Sequence, residues 1–305
     1  MAPETVAFFN LPSKDVSSIN EKPYFDGPPK HNLQTNWKTF LDSPMTKGSL
    51  LDVFANRTPV VRECGFLAPE ECGRMLEIVK THKLGSYDLE NTWPRVGTAG
   101  ITQYDHIKDK NTYFERRNDA CSLQDRWKSE AGIDIIQRVI DRLHVATKMP
   151  VRLASDGERS YFAGILRAVS HGIQVHADFA PYEASGWTID SIAAQITWNI
   201  LLNKVPGGDT LIYDRQWRAP DDDVAWRKAF PRDTYFPQML EGHPFKAMKA
   251  VPGDLTFFNP RNFHEVKACD TSKDHPEPAI RFTVSSFVGF LPARGSEPDT
   301  LVLWS

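Results

Sequence analysis

The triplet His176-Ala177-Asp178 combines two metal-ligating side chains at a spacing that suits a β-strand. Residues i and i+2 of a strand point to the same side, so this imidazole and this carboxylate would project together. His264, within Phe263-His264-Glu265-Val266, is the natural candidate for a third ligand. Two histidines and one carboxylate are the ligand set of non-haem Fe(II) oxygenases, with open positions for a keto acid and O2. The spacing therefore predicts an Fe(II) site made by His176, Asp178 and His264.

The segment Arg281-Phe282-Thr283-Val284-Ser285 supplies the second chemical feature, a cation on a predicted strand. Alternation along a strand places Arg281 and Thr283 on one face and Phe282 on the other. An arginine fork binds a carboxylate through two hydrogen bonds, and a threonine hydroxyl can add another. Arg281 and Thr283 are therefore the candidate site for the distal carboxylate of a keto acid such as 2-oxoglutarate.

His275-Pro276-Glu277 repeats the spacing of the metal triplet but lacks its context. Its Pro-rich surroundings favour a loop, and no histidine follows it to act as a third ligand. His106 and His243 have no carboxylate at strand spacing. We therefore reject these three histidines as metal ligands. The prediction depends on the order along the chain of the triplet, the distant histidine and the arginine.

Short β segments must position these residues, and they fill the second half of the chain. Turn signals separate several of them, as at Pro206-Gly207-Gly208-Asp209 and Pro252-Gly253-Asp254. Many short strands without helices between them favour a sandwich or jelly roll. The predicted strands are Arg159 to Val169, Ile173 to His176, Ala193 to Leu202, Asp209 to Tyr213, Asp254 to Phe258, Phe263 to Val266 and Ile280 to Phe287.

Helical patterns precede the strands, which makes the predicted fold class α+β. One helix opens at Ala68-Pro69-Glu70-Glu71, with proline and acids in its first turn. A second has apolar residues at helical spacing from Ile136 to Leu143. We divide the chain into an irregular N-terminal arm (1–58), a single catalytic domain (59–292) and a C-terminal tail (293–305). Within the domain, 59–150 is helical support and 151–292 is the jelly-roll core, while 84–128 has too little periodicity to assign.

The composition is that of an ordinary folded protein: 305 residues, 25% charged, with a formal net charge of -3. No basic stripe stands out, which disfavours a nucleic-acid partner. No apolar run reaches the ~20 residues of a membrane span, and residues 1–10 lack the features of a secretory signal. The four cysteines form no CxxC pair, so a thiolate zinc site is not expected. We expect a cytoplasmic location and no membrane partner, and the oligomeric state is left open.

The order HxD, His, RxT resembles the signature of the Fe(II)/2-oxoglutarate oxygenases, whose core is a double-stranded β-helix. The segment from Phe66 to Cys72 with the helix after it is similar to the N-terminal support helix of prolyl-4-hydroxylase-like members. From about Tyr161 to Phe290 the chain is most similar to carrier-independent oxygenases and halogenases of the hapalindole/welwitindolinone type, which act on free small molecules.

This resemblance implies a double-stranded β-helix (jelly-roll) core with N-terminal supporting helices, and Fe(II), 2-oxoglutarate and O2 as cofactor and cosubstrates. It implies that Arg281 pairs with the distal carboxylate of 2-oxoglutarate, helped by Thr283. Tyr161 and Arg167 match positions near the cosubstrate or substrate, although strand packing and a surface ion pair account for them equally well.

Two segments are candidate walls of a substrate pocket. Residues 181–192 follow the metal triplet directly and could cover the iron, with Trp187 facing the substrate. Residues 215–245 could form a second wall that includes Trp217. Loops of this length in a compact domain are usually functional, but their aromatic side chains would serve equally well as a satellite core.

Asp178 marks one departure from the halogenases, which have a small residue at that position and so leave a coordination slot for chloride. The resemblance then implies hydroxylation, desaturation, cyclisation or epimerisation of a free small molecule, either a natural-product intermediate or an amino-acid derivative. Two other functions stay open. One is a cupin-like metal-dependent dioxygenase or isomerase that does not use 2-oxoglutarate, and the other is a non-catalytic β-barrel binding module.

Overall fold

A computed structural model describes residues 34–271 and 278–305. The rejected triplet at 275–277 and residues 1–33 of the predicted arm lie outside these ranges. The helices are α1 (Lys47–Phe54), α2 (Pro69–Lys80), α3 (Lys110–Ala120), α4 (Ser122–Ala131), α5 (Ile135–Thr147), α6 (Ala180–Glu183) and α7 (Asp221–Trp226). Three short 3-10 turns lie at Tyr104–His106, Thr188–Ser191 and Pro237–Leu240.

Sixteen short strands make up the rest of the regular structure in the described part of the chain. They are β1 (Ser43–Pro44), β2 (Val61–Glu63), β3 (Gly85–Ser86), β4 (Gly97–Ala99), β5 (Val151–Leu153), β6 (Ser155–Asp156), β7 (Arg159–Ser160), β8 (Ile165–Val169), β9 (Ile173–His176), β10 (Ala194–Leu201), β11 (Thr210–Gln216), β12 (Phe245–Met248), β13 (Leu255–Phe258), β14 (Asn262–Val266), β15 (Arg281–Leu291) and β16 (Thr300–Trp304).

Two sheets carry the site. The larger has ten strands in the order β1-β2-β13-β10-β15-β8-β4-β3, with β16 pairing both β15 and β5. The smaller has four strands in the order β12-β11-β14-β9. The strands that the sequence predicted between residues 159 and 287 all have counterparts here, and Ile173–His176 matches to the residue. The chain is thus a mixed helix-and-sheet protein with large sheets, in which most helices precede most strands.

The early helices pack on the larger sheet because each has one apolar face. Helix α2 buries Met75 and Val79, and α5 buries Val139 and Leu143, in the same hydrophobic cluster as Trp198 of β10. The indole Nε1 of Trp127 on α4 donates to the carbonyl of Met75 at 3.1 Å. The helical support predicted from apolar spacing is therefore present and lies against the sheet that carries Arg281.

The structure departs from the expected arm and tail in two places. Helix α1 lies within the arm and begins with a capping box in which Thr46 and Ser49 exchange hydrogen bonds. It buries Leu50 and Val53, so burial stabilises this short helix although its sequence is not strongly periodic. Strand β16 lies within the predicted tail, and it is buried because it pairs with β15 on one side and β5 on the other.

Residues 84–128, which the sequence left unassigned, contain two helices. Helix α3 buries only Tyr113, so it has almost no apolar stripe that a periodicity argument could detect. Helix α4 buries Leu123 and Trp127. Among the described helices, none is both long and apolar enough to cross a membrane.

Candidate metal centre and cavity

The two candidate histidines lie opposite each other on neighbouring strands. His176 ends β9, and the antiparallel register of β9 and β14 pairs it with His264. Asp178 follows two residues later, where its backbone N–H donates to the carbonyl of Pro260 at 2.9 Å. One ligand atom from each of these three side chains lies within 4.8 Å of the other two. The structure therefore brings together the three predicted ligands from distant parts of the chain.

Hydrogen bonds orient both imidazoles toward this point. His176 Nδ1 lies 2.7 Å from the carbonyl of Gln174, and His264 Nδ1 lies 2.9 Å from the carbonyl of Asn262. A carbonyl only accepts, so each Nδ1 donates and each Nε2 is left with a free lone pair. His264 Nε2 lies 3.7 Å from Asp178 Oδ2. A carbonyl partner behind a ligating histidine is the arrangement that fixes its tautomer for metal binding.

Burial adjusts the charges at the centre. It lowers the pKa of His264 well below its ordinary value, with the neighbouring His176 adding to the effect. It also raises the pKa of Asp178, against the charges of His176 and Arg167. Desolvation thus keeps the imidazole neutral, as a ligand must be, and a divalent cation would offset the cost of the buried carboxylate. Two imidazoles and one carboxylate fit Fe(II).

A cavity of about 170 Å³ lies at this centre, between the two sheets. The smaller sheet contributes the two histidine ligands together with Ile173 and Val266, and Asp178 follows just after β9. The larger sheet contributes one face of β8, β10 and β15, including Arg167, Thr197, Asn199, Arg281, Thr283 and Ser285. The register of β15 pairs Thr283 with Arg167 and Ser285 with Asn199, so these side chains share one face.

Three buried donors on that face have no hydrogen-bond partner within the described residues. They are Arg281 Nε, Thr283 Oγ1 and Asn199 Nδ2. Buried polar atoms normally find partners, because an unpaired one costs about 1–3 kcal/mol. Burial also lowers the pKa of Arg281 to about 10. A cation and two neutral donors without partners fit the carboxylate of a bound anion, as 2-oxoglutarate requires.

Gly208 makes room beside this cation. It has a φ of +73°, and a Cβ there would lie 3.4 Å from both Arg281 Cδ and Cys269 Sγ. This is the glycine that the sequence marked only as a turn signal before β11. The turn also sets one wall of the anion site.

Arg167 lies in the cavity with the other predicted residues, although other side chains already hold it. Its Nε donates to the hydroxyl of Tyr87 at 2.8 Å, and its Nη1 donates to Ser285 Oγ. These bonds tie the segment before β4 to the larger sheet. Of the two positions matched by resemblance near the cosubstrate, the structure places Arg167 on the cavity wall.

Tyr161, Trp187 and Trp217 are not among the residues that line the cavity. The Tyr161 hydroxyl lies 3.0 Å from Thr188 Oγ1, and its ring lies 5.9 Å from that of Trp187 within a buried aromatic cluster. Trp217 Nε1 donates to Asp223 Oδ1 at 3.0 Å. The described contacts of these three side chains are packing contacts that hold the segments around 181–192 and 215–245. These contacts do not test whether the side chains bind a ligand.

Several cavity residues were missed by sequence reasoning. Tyr87, Gln103 and Asp105 come from the unassigned stretch 84–128, and Asp233 comes from the long segment after β11. Asn199 was missed because a single polar residue on a predicted strand is not distinctive. Asn199 lies on the face of β10 that continues the face of Arg281 and Thr283 on the neighbouring strand β15. That alternation is the sequence signal that would have identified it.

Two curated proteins match most of the chain. One is "Leucinostatins biosynthesis cluster protein S" of Purpureocillium lilacinum, 40% identical over 221 residues, which is 72% of this chain and 89% of that protein. The other is "L-gamma-glutamyl-L-propargylglycine hydroxylase" of Streptantibioticus cattleyicolor, 27% identical over 274 residues, 85% of this chain and 93% of that protein. No family model matches.

The fold is similar to that of a solved "N-Substituted L-Amino Acid Dioxygenase" from Burkholderia ambifaria AMMD. The TM-score is 0.53 at 16% identity, covering 85% of this chain and 91% of the other. The same enzyme in complex with alpha-KG gives a TM-score of 0.50 at 15% identity, covering 85% of this chain and 90% of the other. At this identity the likeness concerns the fold.

Proposed function

This chain belongs to the Fe(II)/2-oxoglutarate-dependent oxygenases, and we propose that it hydroxylates a free small molecule that is a natural-product intermediate or an amino-acid derivative. One observation carries the proposal. A two-histidine, one-carboxylate centre faces the same buried cavity as Arg281, Thr283 and Asn199, each of which has one polar atom without a partner in the described part of the chain. Either group alone is compatible with a purely structural role, whereas together they match a metal and a dicarboxylic keto acid bound side by side.

We assign the roles as follows. His176, Asp178 and His264 hold the iron, while Arg281, Thr283 and Asn199 bind the distal carboxylate of 2-oxoglutarate. Bound Fe(II) and 2-oxoglutarate supply O2 activation and the oxidation of a substrate C–H bond, with succinate and CO2 as coproducts. The protein orients the reactants and excludes bulk water through the apolar walls that Ile173, Val266 and Phe258 provide.

The two sheets support a finer assignment of the core as a double-stranded β-helix. The smaller sheet carries both histidines while the larger carries Arg281, and both sheets line the same cavity. Asp178 fills the position that a halogenase leaves open, so hydroxylation is proposed over halogenation. Desaturation, cyclisation or epimerisation would use the same residues. A cytoplasmic location stays a prediction.

The names of the similar proteins support the substrate class. One is named for a biosynthesis cluster, one for hydroxylation of a γ-glutamyl amino acid, and one for dioxygenation of N-substituted amino acids. A cupin-like enzyme without 2-oxoglutarate is disfavoured because it would leave Arg281 Nε buried without a hydrogen-bond partner among the described residues. A binding module is disfavoured by the two oriented imidazoles.

The test is turnover of 2-oxoglutarate by the purified protein with Fe(II) and ascorbate, followed as succinate formation. We expect slow succinate formation without substrate. Asp178→Ala and Arg281→Gln should each abolish it, because they remove a metal ligand and the anion anchor. Arg74→Gln is the matched control, since Arg74 is exposed on α2. Wild-type rates in either cavity variant would contradict the assignment.

A further inference from the structure

The cavity lining includes acidic side chains besides the metal ligand Asp178. Asp105 and Asp233 both line it, and they come from two segments outside the sheets. Backbone hydrogen bonds join the Asp233 segment to residues 90 and 91, since the Asp233 N–H donates to Asn91 O at 3.4 Å and the Arg232 N–H donates to Glu90 O at 3.2 Å. The carboxyl groups of Asp105 and Asp233 line the same cavity, where they form an acidic part of its wall.

Neither carboxyl group has a close cationic partner within the described ranges. Asp105 Oδ2 accepts a hydrogen bond from Thr102 Oγ1 at 3.0 Å. The cation beside Asp233 is Arg227, at 3.8 Å, and Arg227 makes a closer contact of 3.0 Å with Asp223. Both side chains are thus partly desolvated acids whose charge is only partly offset, by Arg227 at Asp233 and by Thr102 and the charges of His106 and Arg167 at Asp105.

The electrostatics agree with this geometry. Burial raises the pKa of Asp105 and raises that of Asp233 to about 6. The charges of Arg227 and His176 lower the pKa of Asp233 in part, whereas those of Asp178 and Asp105 add to the rise. The wall therefore lies close enough to the metal centre for the charges there to act on it, and a cation at this position would relieve the repulsion.

Gln103 gives an independent sign of a ligand at this wall. It is 1% exposed, and it lines the cavity two residues before Asp105. Its carboxamide oxygen Oε1 is buried and accepts no hydrogen bond within the described chain. A buried acceptor without a donor is costly, so an N–H group from a ligand would satisfy it.

Charge balance leads to the same conclusion. Among the side chains that line the cavity, which do not include Arg227, Arg281 and Arg167 together with a divalent iron carry four positive charges. Asp178 with dianionic 2-oxoglutarate carries three negative ones. Ionised Asp105 and Asp233 then leave the filled cavity one negative charge in excess. A single ammonium group on the substrate would neutralise it.

We propose that Asp105, Asp233 and Gln103 form a recognition site for a protonated amine on the substrate. The substrate is thus a compound with an ammonium group, bound in the same cavity as 2-oxoglutarate. This inference rests on the proposed function, because it assigns the substrate class of the same site.

The test is binding of matched probes to the anaerobic enzyme with Fe(II) and 2-oxoglutarate, measured by titration calorimetry at pH 7, where both amines are mostly protonated. The pairs are isopentylamine against isopentanol, and L-leucinamide against 4-methylpentanamide. We expect each amine to bind about tenfold to hundredfold more tightly than its neutral partner. The double variant Asp105→Asn/Asp233→Asn should lose that preference. Glu158→Gln, which removes the charge of an exposed residue, should keep it.

Equal binding of amines and neutral partners, or no amine binding at millimolar concentration, would overturn the inference. So would an undiminished amine preference in the double variant, because the amine would then bind the iron or another wall. Thermal unfolding checks that the double variant folds. Binding of 2-oxoglutarate separates the two proposals: if wild type binds it through Arg281 but shows no amine preference, only this inference fails.

Discussion

Replacement of Arg281 by methionine separates the anion site from the stability of the fold. Arg281 is 7% exposed, and its guanidinium Nε has no hydrogen-bond partner within the described residues. Burial lowers its pKa to about 10, which corresponds to about 3 kcal/mol of unfavourable charge burial at about 1.4 kcal/mol per pKa unit. Because the folded-state pKa is lowered, this cost is fully present at pH 7 and fades only above about pH 10.

Methionine keeps an unbranched stem and removes the charge, so the variant without ligand should be more stable by about 1 to 3 kcal/mol. The wild type should recover this difference when 2-oxoglutarate binds. Saturation at a hundred times Kd stabilises a protein by about 2.7 kcal/mol. The variant should gain nothing from the ligand.

The assay is urea unfolding under anaerobic conditions with Fe(II), with and without 2-oxoglutarate, for wild type, Arg281→Met and the exposed control Arg74→Gln. The control should behave as wild type does. If Arg281→Met unfolded at lower urea than wild type without ligand, the idea of an uncompensated cation would be wrong. If 2-oxoglutarate stabilised the variant as much as wild type, the ligand would bind elsewhere.

Three further predictions concern other parts of the chain. Gly208→Ala should destabilise the protein by about 1 kcal/mol because φ is +73°, and it should weaken 2-oxoglutarate binding because the new methyl group would lie 3.4 Å from Arg281 Cδ. Wild-type values in both unfolding and calorimetry would contradict this. Thr46→Ala should cost about 1 kcal/mol in urea unfolding by removing the cap of α1, and an unchanged midpoint would count against that cap. A thiol reagent at pH 8 should modify Cys64 quickly, because Cys64 is exposed. Cys72, Cys121 and Cys269 should react slowly, because burial raises the pKa of each thiol. Fast modification of a second cysteine would refute this.

The metal centre was predictable because its signal is local in sequence. His176 and Asp178 share a strand side by alternation, and His264 needed only a second strand in the right half of the chain. The antiparallel pairing sets the two histidines opposite each other, as that reasoning requires. The same alternation on β15 put Arg281 and Thr283 on one face, and both residues line the cavity.

The sequence does not reveal which side of a turn or loop faces the cavity when that segment lies outside the sheets. Asp105 and Asp233 reach the cavity from a 3-10 turn and a loop, and neither has a periodicity that reveals orientation. Trp187 and Trp217 show the reverse difficulty. An aromatic residue type is equally consistent with a ligand wall and a packed cluster, and only tertiary contacts distinguish them.

The helices of 84–128 and strand β16 were missed for a related reason. Helix α3 is held by the burial of Tyr113, whose hydroxyl donates to Ser305 O at 2.9 Å, and such a long-range bond leaves no pattern in the local sequence. Strand β16 is stabilised by partners at residues 151–153 and 287–291. Both elements depend on distant pairing.

The most direct test is anomalous diffraction at the iron edge from anaerobic crystals with Fe(II) and 2-oxoglutarate. One iron should lie within bonding distance of His176 Nε2, His264 Nε2 and an oxygen of Asp178. The distal carboxylate of 2-oxoglutarate should contact Arg281, Thr283 and Asn199. Iron bound elsewhere, or a carboxylate that leaves those three donors unpaired, would contradict the account.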